Sequence, residues 1–448
     1  MGLIEASVSR RDLLSIAAAG AVSTVAPHGD GETRSPPARD RSLVSRLDRE
    51  ISSAVREADF SGVVLLARRG NSVFSRAVGA ANRDFAIPND IRTKFNLGSI
   101  NKLFTAAAIL RLLEQGRVKL DIPIVAYLPS YPDADIARRI TIEHLLTHTS
   151  GLGSYWEAIA SRAAHNYVEL GDFIPLFAGV PLQSTPGEQY GYSNVGYVIL
   201  GLIIEAVTAR NYFEYVRTEI FRPLGMIDTE SWPLDMVVPN RATGYFRDER
   251  LSGAWRSNLF IVPAYRGNSA GAGFSTAPDL TRFMTALAED RLFSPATRAN
   301  ATRGRIAFSK GRRGLGFAEE TINGHRIVGH SGGGAGIANE VLLFEDFGLT
   351  SVILTNGDVD GYWRLSAFIR DLLCGESPTT APYRYTMELV RKAVSQGIGS
   401  ATQFHKQAGD GVRVEAAVLE VEAGKARHRG NVEAAVQIDA LAAAIATA

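Results

Sequence analysis

Leu43, Leu47, Ile51 and Val55 recur every fourth residue, so the segment 41–57 predicts a helix with one apolar face. The pattern then shortens. The stretches SGVVLLARRG and NSVFSRAVG, residues 61–79, place apolar runs on either side of Gly70 and Asn71 and predict a β-hairpin. Beyond Ser99, Leu103, Phe104, Ala107 and Leu110 return to helical spacing, up to a stop at Gly116. From about 120 to 300, Pro and Gly divide the chain into several helices and long connections, among them the apolar run that begins near Val195. Strand patterns come back late, in HRIVGH, IANEVLLFED and GLTSVILTNGD, followed by a helix over GYWRLSAFIRDLL. Two early strands, three late ones and helices at both ends predict an α/β (α+β) fold. In it, one antiparallel sheet of five strands is flanked by helices, and the middle of the chain forms a largely helical second subdomain. A groove between the two parts is the expected place for chemistry.

Composition adds exclusions. In 448 residues, 46% are hydrophobic and 21% charged, which fits a folded chain of one large or two ordinary domains. Lys and Arg total 48 against 47 Asp and Glu, so no global field favours nucleic acid or an anionic membrane. The single cysteine, Cys374, permits no internal disulfide and reads as a buried structural thiol.

Arg10 and Arg11 precede a short Ala-rich run from Leu13 that is too short to span a bilayer. This start resembles a twin-arginine export signal with cleavage near Ala26, which implies a periplasmic or extracellular protein; a leader on a cytoplasmic protein is the alternative. The tail, AGKARHRGNVEAAVQIDALAAAIA, resembles the later part of a tetratricopeptide repeat with Gly430 and Asn431 at its turn, and is a candidate for weak protein contact. The expected organisation is therefore a leader and linker over 1–38, a main domain over 39–378 and a helical tail over 379–448.

Three stretches carry candidate chemistry. In GSINKLFTAAAI, Ser99 and Lys102 lie three apart on one helical face, where a desolvated lysine can take a hydroxyl proton; a serine cap beside a snorkelling lysine is the plain alternative. In YGYSN, Tyr192 and Asn194 stand ahead of the apolar helix, the first able to relay a proton and the second to bond Lys102 and a substrate carbonyl. Taken alone, those two are better explained as a packed tyrosine and a helix cap. In GHSGGGAG, glycines beside His330 and Ser331 either let a strand edge approach a ligand or make a simple turn. No dinucleotide or phosphate-loop pattern accompanies these glycines.

Read together, GSINKLFTAAAI, ITIEHLLTHTSGL, TPGEQYGYSNVGYVILGLIIE, IFRPLGMIDT, GAGFSTAPDLTRF and GHSGGGAG follow the order seen in the serine beta-lactamase-related family, which the chain resembles over about residues 40–375. That family groups class C beta-lactamases, penicillin-binding proteins with D-alanyl-D-alanine carboxypeptidase activity, esterases and D-aminopeptidases. The resemblance implies a beta-lactamase/transpeptidase-like fold and acyl transfer through an acyl-enzyme. It makes Ser99 the acylated serine, Lys102 its base and Tyr192 the proton donor, with Asn194 as their partner in substrate binding. It sets His330, Ser331 and Gly332 where beta-lactamases carry Lys-Thr-Gly, and makes the N–H groups of Ser99 and Gly333 the oxyanion hole. His144 and His148 look like family scaffold; without a third ligand they imply no zinc, and the mechanism calls for no cofactor.

The implied substrate is a small ester, amide or D-amino-acid peptide. Neutral His330 offers a hydrogen bond where a lysine would offer charge, which favours esterase-like or broad peptidase-like hydrolysis over beta-lactamase action. A D-alanyl-D-alanine carboxypeptidase or D-aminopeptidase is the nearest rival. A non-catalytic peptide- or lactam-binding module is the rival from another class.

Overall fold

A computed structural model of the protein describes residues 38–446 apart from 156–166, 249–253, 260–264, 309–310, 358, 377–380, 410–411, 413 and 429–431. Helix α1 (Ala38–Ala58) leads into a hairpin of β1 (Gly62–Arg68) and β2 (Asn71–Val78), as the change of period predicts. Four helices that frame the site follow: α2 (Asn101–Glu114), α3 (Asn194–Thr208), α4 (Ala277–Ala288) and α5 (Pro295–Thr302). The remaining strands of the main sheet are β3 (Ile306–Phe308), β4 (Gly311–Arg313), β5 (Ala318–Ile322), β6 (His325–Gly334), β7 (Ile337–Phe344) and β8 (Leu349–Thr355). Helices α6 (Val359–Cys374), α7 (Ala381–Gln396), α8 (Ile398–Ala408), α9 (Ala416–His428) and α10 (Val432–Ala446) complete the chain.

The sheet is antiparallel throughout, in the order β2-β1-β8-β7-β6-β5-β4-β3. The five strands expected from sequence form one contiguous run of it, from β2 to β6. Three shorter strands extend the sheet to eight. They are three to five residues long, too short to show a period, and β4 and β5 are largely Arg, Glu and Gly.

Successive residues of β1 serve two cores, because a strand points alternate side chains to opposite faces. Val64 and Leu66 join Leu47 and Ile51 of α1 and Leu365 and Ile369 of α6 on one face. Val63 and Leu65 join Leu103 of α2, Ile199 of α3 and Phe283 of α4 on the other. Helix α3 is apolar nearly all round because it is interior: Ile199, Leu200, Ile203 and Ile204 are all 0% exposed. Among the described residues, no single helix is long and apolar enough to cross a membrane.

Helices α7 to α10 gather a small core of their own around Leu389, Ala393, Leu419, Ile438 and Leu441. Arg391 of α7 reaches Glu57 of α1 at 3.5 Å. Gly430 and Asn431 of the repeat-like turn lie outside the described residues, as do Arg10, Arg11, Leu13 and Ala26 of the leader. Cys374 is buried at the end of α6, and burial pushes its thiol up to about 11, which makes it a poor nucleophile.

Candidate active site

The glycines of GHSGGG lie within β6, paired Gly332 to Asn339 and Gly333 to Ala338, rather than in a turn. Their lack of side chains sets how close the strand runs to the start of α2. A Cβ on Gly332 would lie 2.0 Å from the Leu97 carbonyl oxygen and 2.9 Å from the Ser99 nitrogen. Gly98 has the left-handed φ of 52°, and a Cβ there would fall 2.9 Å from the Gly333 nitrogen. Two bare backbones thus meet where Ser99 stands, in a 3₁₀ turn (Gly98–Ile100) that feeds directly into α2. Asn339 Nδ2 donates to the Asn96 carbonyl at 2.7 Å and ties β7 to the same turn.

One helical turn on, Lys102 is 0% exposed. Its Nζ contacts the Ala270 carbonyl at 2.5 Å, Asn194 Oδ1 at 2.7 Å and Ser99 Oγ at 3.2 Å. Burial above all, and then the nearby Arg313 guanidinium, hold the amine well below its ordinary range. A neutral amine has two hydrogens and one lone pair. The two carbonyl oxygens can accept only the hydrogens, so the lone pair is left for the hydroxyl hydrogen of Ser99.

Asn194 is itself placed by the start of α3, where Ser193 caps the helix by accepting from the Gly196 N–H at 3.1 Å. Ala270 is placed by a turn in which Asn268 Oδ1 accepts from the Ala270 N–H at 2.8 Å and the Asn268 and Gly271 backbones bond each other.

Tyr192 donates its phenol hydrogen to Ser99 Oγ at 2.7 Å. Burial of its ring and hydroxyl raises the phenol's pKa above the ordinary tyrosine range, while the Ser99 bond and Arg313 pull the other way. The phenol therefore stays protonated near neutral pH and can serve as a donor. Its ring lies on the His148 imidazole, 4.3 Å between centroids at 29°. His148 Nδ1 accepts from the Ser193 N–H at 3.2 Å, and burial above all, then the Arg313 guanidinium, hold the ring well below its ordinary range. The ring is thus a neutral platform for Tyr192. His144 instead closes a capping box with Thr141 at the start of the helix Ile142–Leu146.

At position 330 the structure differs from the sequence expectation. His330 is only 3% exposed, so it does not present its ring to solvent as a donor for substrate. Its Nδ1 donates to the Ser331 carbonyl at 2.5 Å, and burial above all, then Arg313, hold it well below its ordinary range. The physical reason is strand alternation: His330 turns toward the buried face with Val328, and Ser331 turns outward and is exposed. His330 is therefore a neutral buried group, and Ser331, Gly333 and Gly334 are the exposed positions of this strand.

The sequence reading brought together Ser99, Lys102, Tyr192, Asn194, Gly332 and Gly333, and all six meet here. It did not single out the Ala270 carbonyl, the His148 platform or Arg313, which is 4% exposed. The first is a backbone atom and has no residue signature. Arg313 sits in the polar run KGRRG, which looks like a solvated surface.

A hydroxyl held between a neutral amine and a phenol, beside two closely packed backbones, is an arrangement for attack on a carbonyl. Residues 47–371 match the protein family described as Beta-lactamase. The chain belongs to the beta-lactamase family. As a member it is a serine hydrolase that works through an acyl-enzyme. Within the family it is similar to Penicillin-binding protein 4* of Bacillus subtilis (strain 168), 29% identical over 323 residues, which span 67% of this chain and 69% of that protein. It is also similar to Esterase EstB of Burkholderia gladioli, 32% identical over 294 residues, 58% of this chain and 74% of that protein. Among solved structures, the penicillin binding protein from Bacillus halodurans superposes with a TM-score of 0.66 at 28% identity, covering 72% of this chain and 99% of that one.

Proposed function

We propose that the enzyme hydrolyses small esters, with broader amide or peptide hydrolysis as a secondary activity. Ser99 is the nucleophile, Lys102 its base, Tyr192 the acid for the leaving group, and the N–H groups of Ser99 and Gly333 the oxyanion hole. The observation that carries this is the triple contact of Lys102 Nζ, whose two carbonyl acceptors leave its lone pair for Ser99.

In the forward step, Ser99 Oγ bonds to the carbonyl carbon while its proton passes to Lys102. The tetrahedral oxyanion collapses and expels the leaving group, which takes the Tyr192 proton; the phenolate recovers one from the Lys102 ammonium. Water then repeats the sequence in Ser99's place: it gives a proton to the same pair, attacks the acyl carbon and releases the acid.

The preference for esters rests on the neutral, buried His330, which leaves β6 without a fixed charge for a substrate carboxylate at that position. The likeness to an esterase at 32% identity agrees with it. The exposed Ser331 hydroxyl supports a second reading, a D-alanyl-D-alanine carboxypeptidase or D-aminopeptidase that grips a carboxylate through hydrogen bonds. Turnover of p-nitrophenyl acetate, p-nitrophenyl butyrate, D-alanine amide, a D-alanyl-D-alanine peptide and a penicillin separates the two. Ester hydrolysis should exceed peptide hydrolysis in kcat/KM by about tenfold or more. The opposite ranking would establish the carboxypeptidase reading instead.

A further inference from the structure

The segment 267–273, GNSAGAG, carries the Ala270 carbonyl that Lys102 bonds, and it is built largely of Gly and Ala, whose side chains cannot fix its shape. Helix α2 supplies partners from outside. Asn101 Nδ2 donates to the Asn268 carbonyl at 3.4 Å, Thr105 Oγ1 to the Ser269 carbonyl at 2.7 Å, and Lys102 Nζ to the Ala270 carbonyl at 2.5 Å. Three consecutive carbonyls are thus received by three side chains of one helix. The approach is close: a Cβ on Gly273 would lie 2.6 Å from Asn101 Nδ2.

Of these three bonds, that of Asn101 is long and that of Lys102 belongs to the reacting group itself, which leaves Thr105. Its hydroxyl holds the carbonyl end of the Ser269–Ala270 peptide, and the other end, the Ala270 N–H, donates to Asn268 Oδ1 at 2.8 Å. With both polar ends held, the plane of that peptide is set. The Ser269 hydroxyl makes no hydrogen bond, so its own side chain contributes no anchor. The next peptide is held in the same way: the Gly271 N–H donates to the Asn268 carbonyl at 3.1 Å, and the Ala270 carbonyl faces Lys102. Thr105 is oriented in turn. Its one hydroxyl hydrogen goes to Ser269, so the Tyr212 phenol, 2.7 Å from Oγ1, must donate to it. Thr105 is 0% exposed and Tyr212 1%, so both bonds lie away from bulk water.

We propose that Thr105, oriented by Tyr212, is a positioning residue for Lys102: by holding the Ser269 carbonyl it aims the Ala270 carbonyl at Nζ and so keeps the amine's lone pair on Ser99. The proposal rests on the reading of Lys102 as the base. If the Ala270 carbonyl turns away, one Nζ hydrogen loses its acceptor and is free to point at Ser99 Oγ, which puts a donor where the base is needed.

Two measurements on the full chain test it. The second-order rate at which a fluorophosphonate labels Ser99 reads the nucleophile directly, and kcat and KM on p-nitrophenyl acetate place any loss. Thr105→Val keeps the shape of the side chain without its hydroxyl; it should lower the labelling rate and kcat by about tenfold or more and leave KM within about twofold. Thr105→Ser keeps both hydrogen bonds and should stay within about threefold of wild type. Thr105→Ala repeats the comparison where the valine variant does not fold. Combined with Lys102→Met, Thr105→Val should change the residual labelling rate by less than about twofold, because the group it positions is gone. A wild-type labelling rate in folded Thr105→Val or Thr105→Ala, a loss confined to KM, a serine variant as slow as the valine one, or an equal loss in the Lys102→Met background overturns the proposal. Wild-type labelling by Lys102→Met would instead overturn the reading of Lys102 as the base, whereas slow labelling by Lys102→Met with fast labelling by Thr105→Val strikes the role of Thr105 alone.

Discussion

Lys102→Met is expected to lower kcat/KM on p-nitrophenyl acetate by about 10³-fold or more while the protein stays folded. The activity loss follows from the lone pair that Nζ directs at Ser99 from 3.2 Å. Without it, the hydroxyl has only the Tyr192 phenol beside it, and that phenol is a donor. The fold should survive because Lys102 lies on a helix buried from Asn101 to Leu110, beside the Tyr197 ring, where methionine has a similar length and no proton to lose. Two carbonyls, Asn194 Oδ1 and that of Ala270, do lose their donor, at a cost of about 1–3 kcal/mol each if water does not replace it. Steady-state kinetics with urea unfolding checks both halves. A folded variant with wild-type kcat/KM would contradict the role of Lys102.

Gly332→Ala is expected to reduce kcat by about 10²-fold with a smaller change in KM. The added methyl would meet the Leu97 carbonyl oxygen at 2.0 Å, a backbone atom that cannot swing aside, and the Ser99 nitrogen at 2.9 Å. Either β6 or the Gly98–Ile100 turn must retreat, and each retreat draws the N–H groups of Ser99 and Gly333 off a shared carbonyl oxygen. The same clash should cost about 1–3 kcal/mol of stability. Gly334→Ala is the control, since a Cβ there comes no closer than 3.5 Å to the Ile337 side chain. Equal kcat in the two variants would show that the close approach at Gly332 does not serve the oxyanion.

These effects show which parts of the molecule could be read from the chain. Helix α1, the β1–β2 hairpin and the strands β6, β7 and β8 were legible because burial on one or both faces imposes a strong apolar period. Ser99, Lys102, Tyr192 and Asn194 were legible as a group only through the family resemblance, since each pair taken alone has an ordinary structural reading. The short strands β3 to β5 were not, since Arg312 and Glu319 pair across solvent-facing positions and leave no pattern. The direction of His330 was also hidden: only the register that pairs it with Val341 decides which face of the sheet it turns to. Arg313 was least legible of all. Its burial goes with a turn anchored to Ala301 and, far away in the sequence, to Leu146.

The central claim is that a hydroxyl polarised by a buried neutral lysine is the atom that becomes acylated. Intact-mass analysis followed by peptide mapping, after brief reaction with a fluorophosphonate and separately with p-nitrophenyl acetate, tests it most directly. One covalent adduct per chain is expected, confined to the peptide that contains Ser99, absent from Ser99→Ala and formed far more slowly in Lys102→Met. An adduct that persists in Ser99→Ala, or one that maps to another residue, would contradict it.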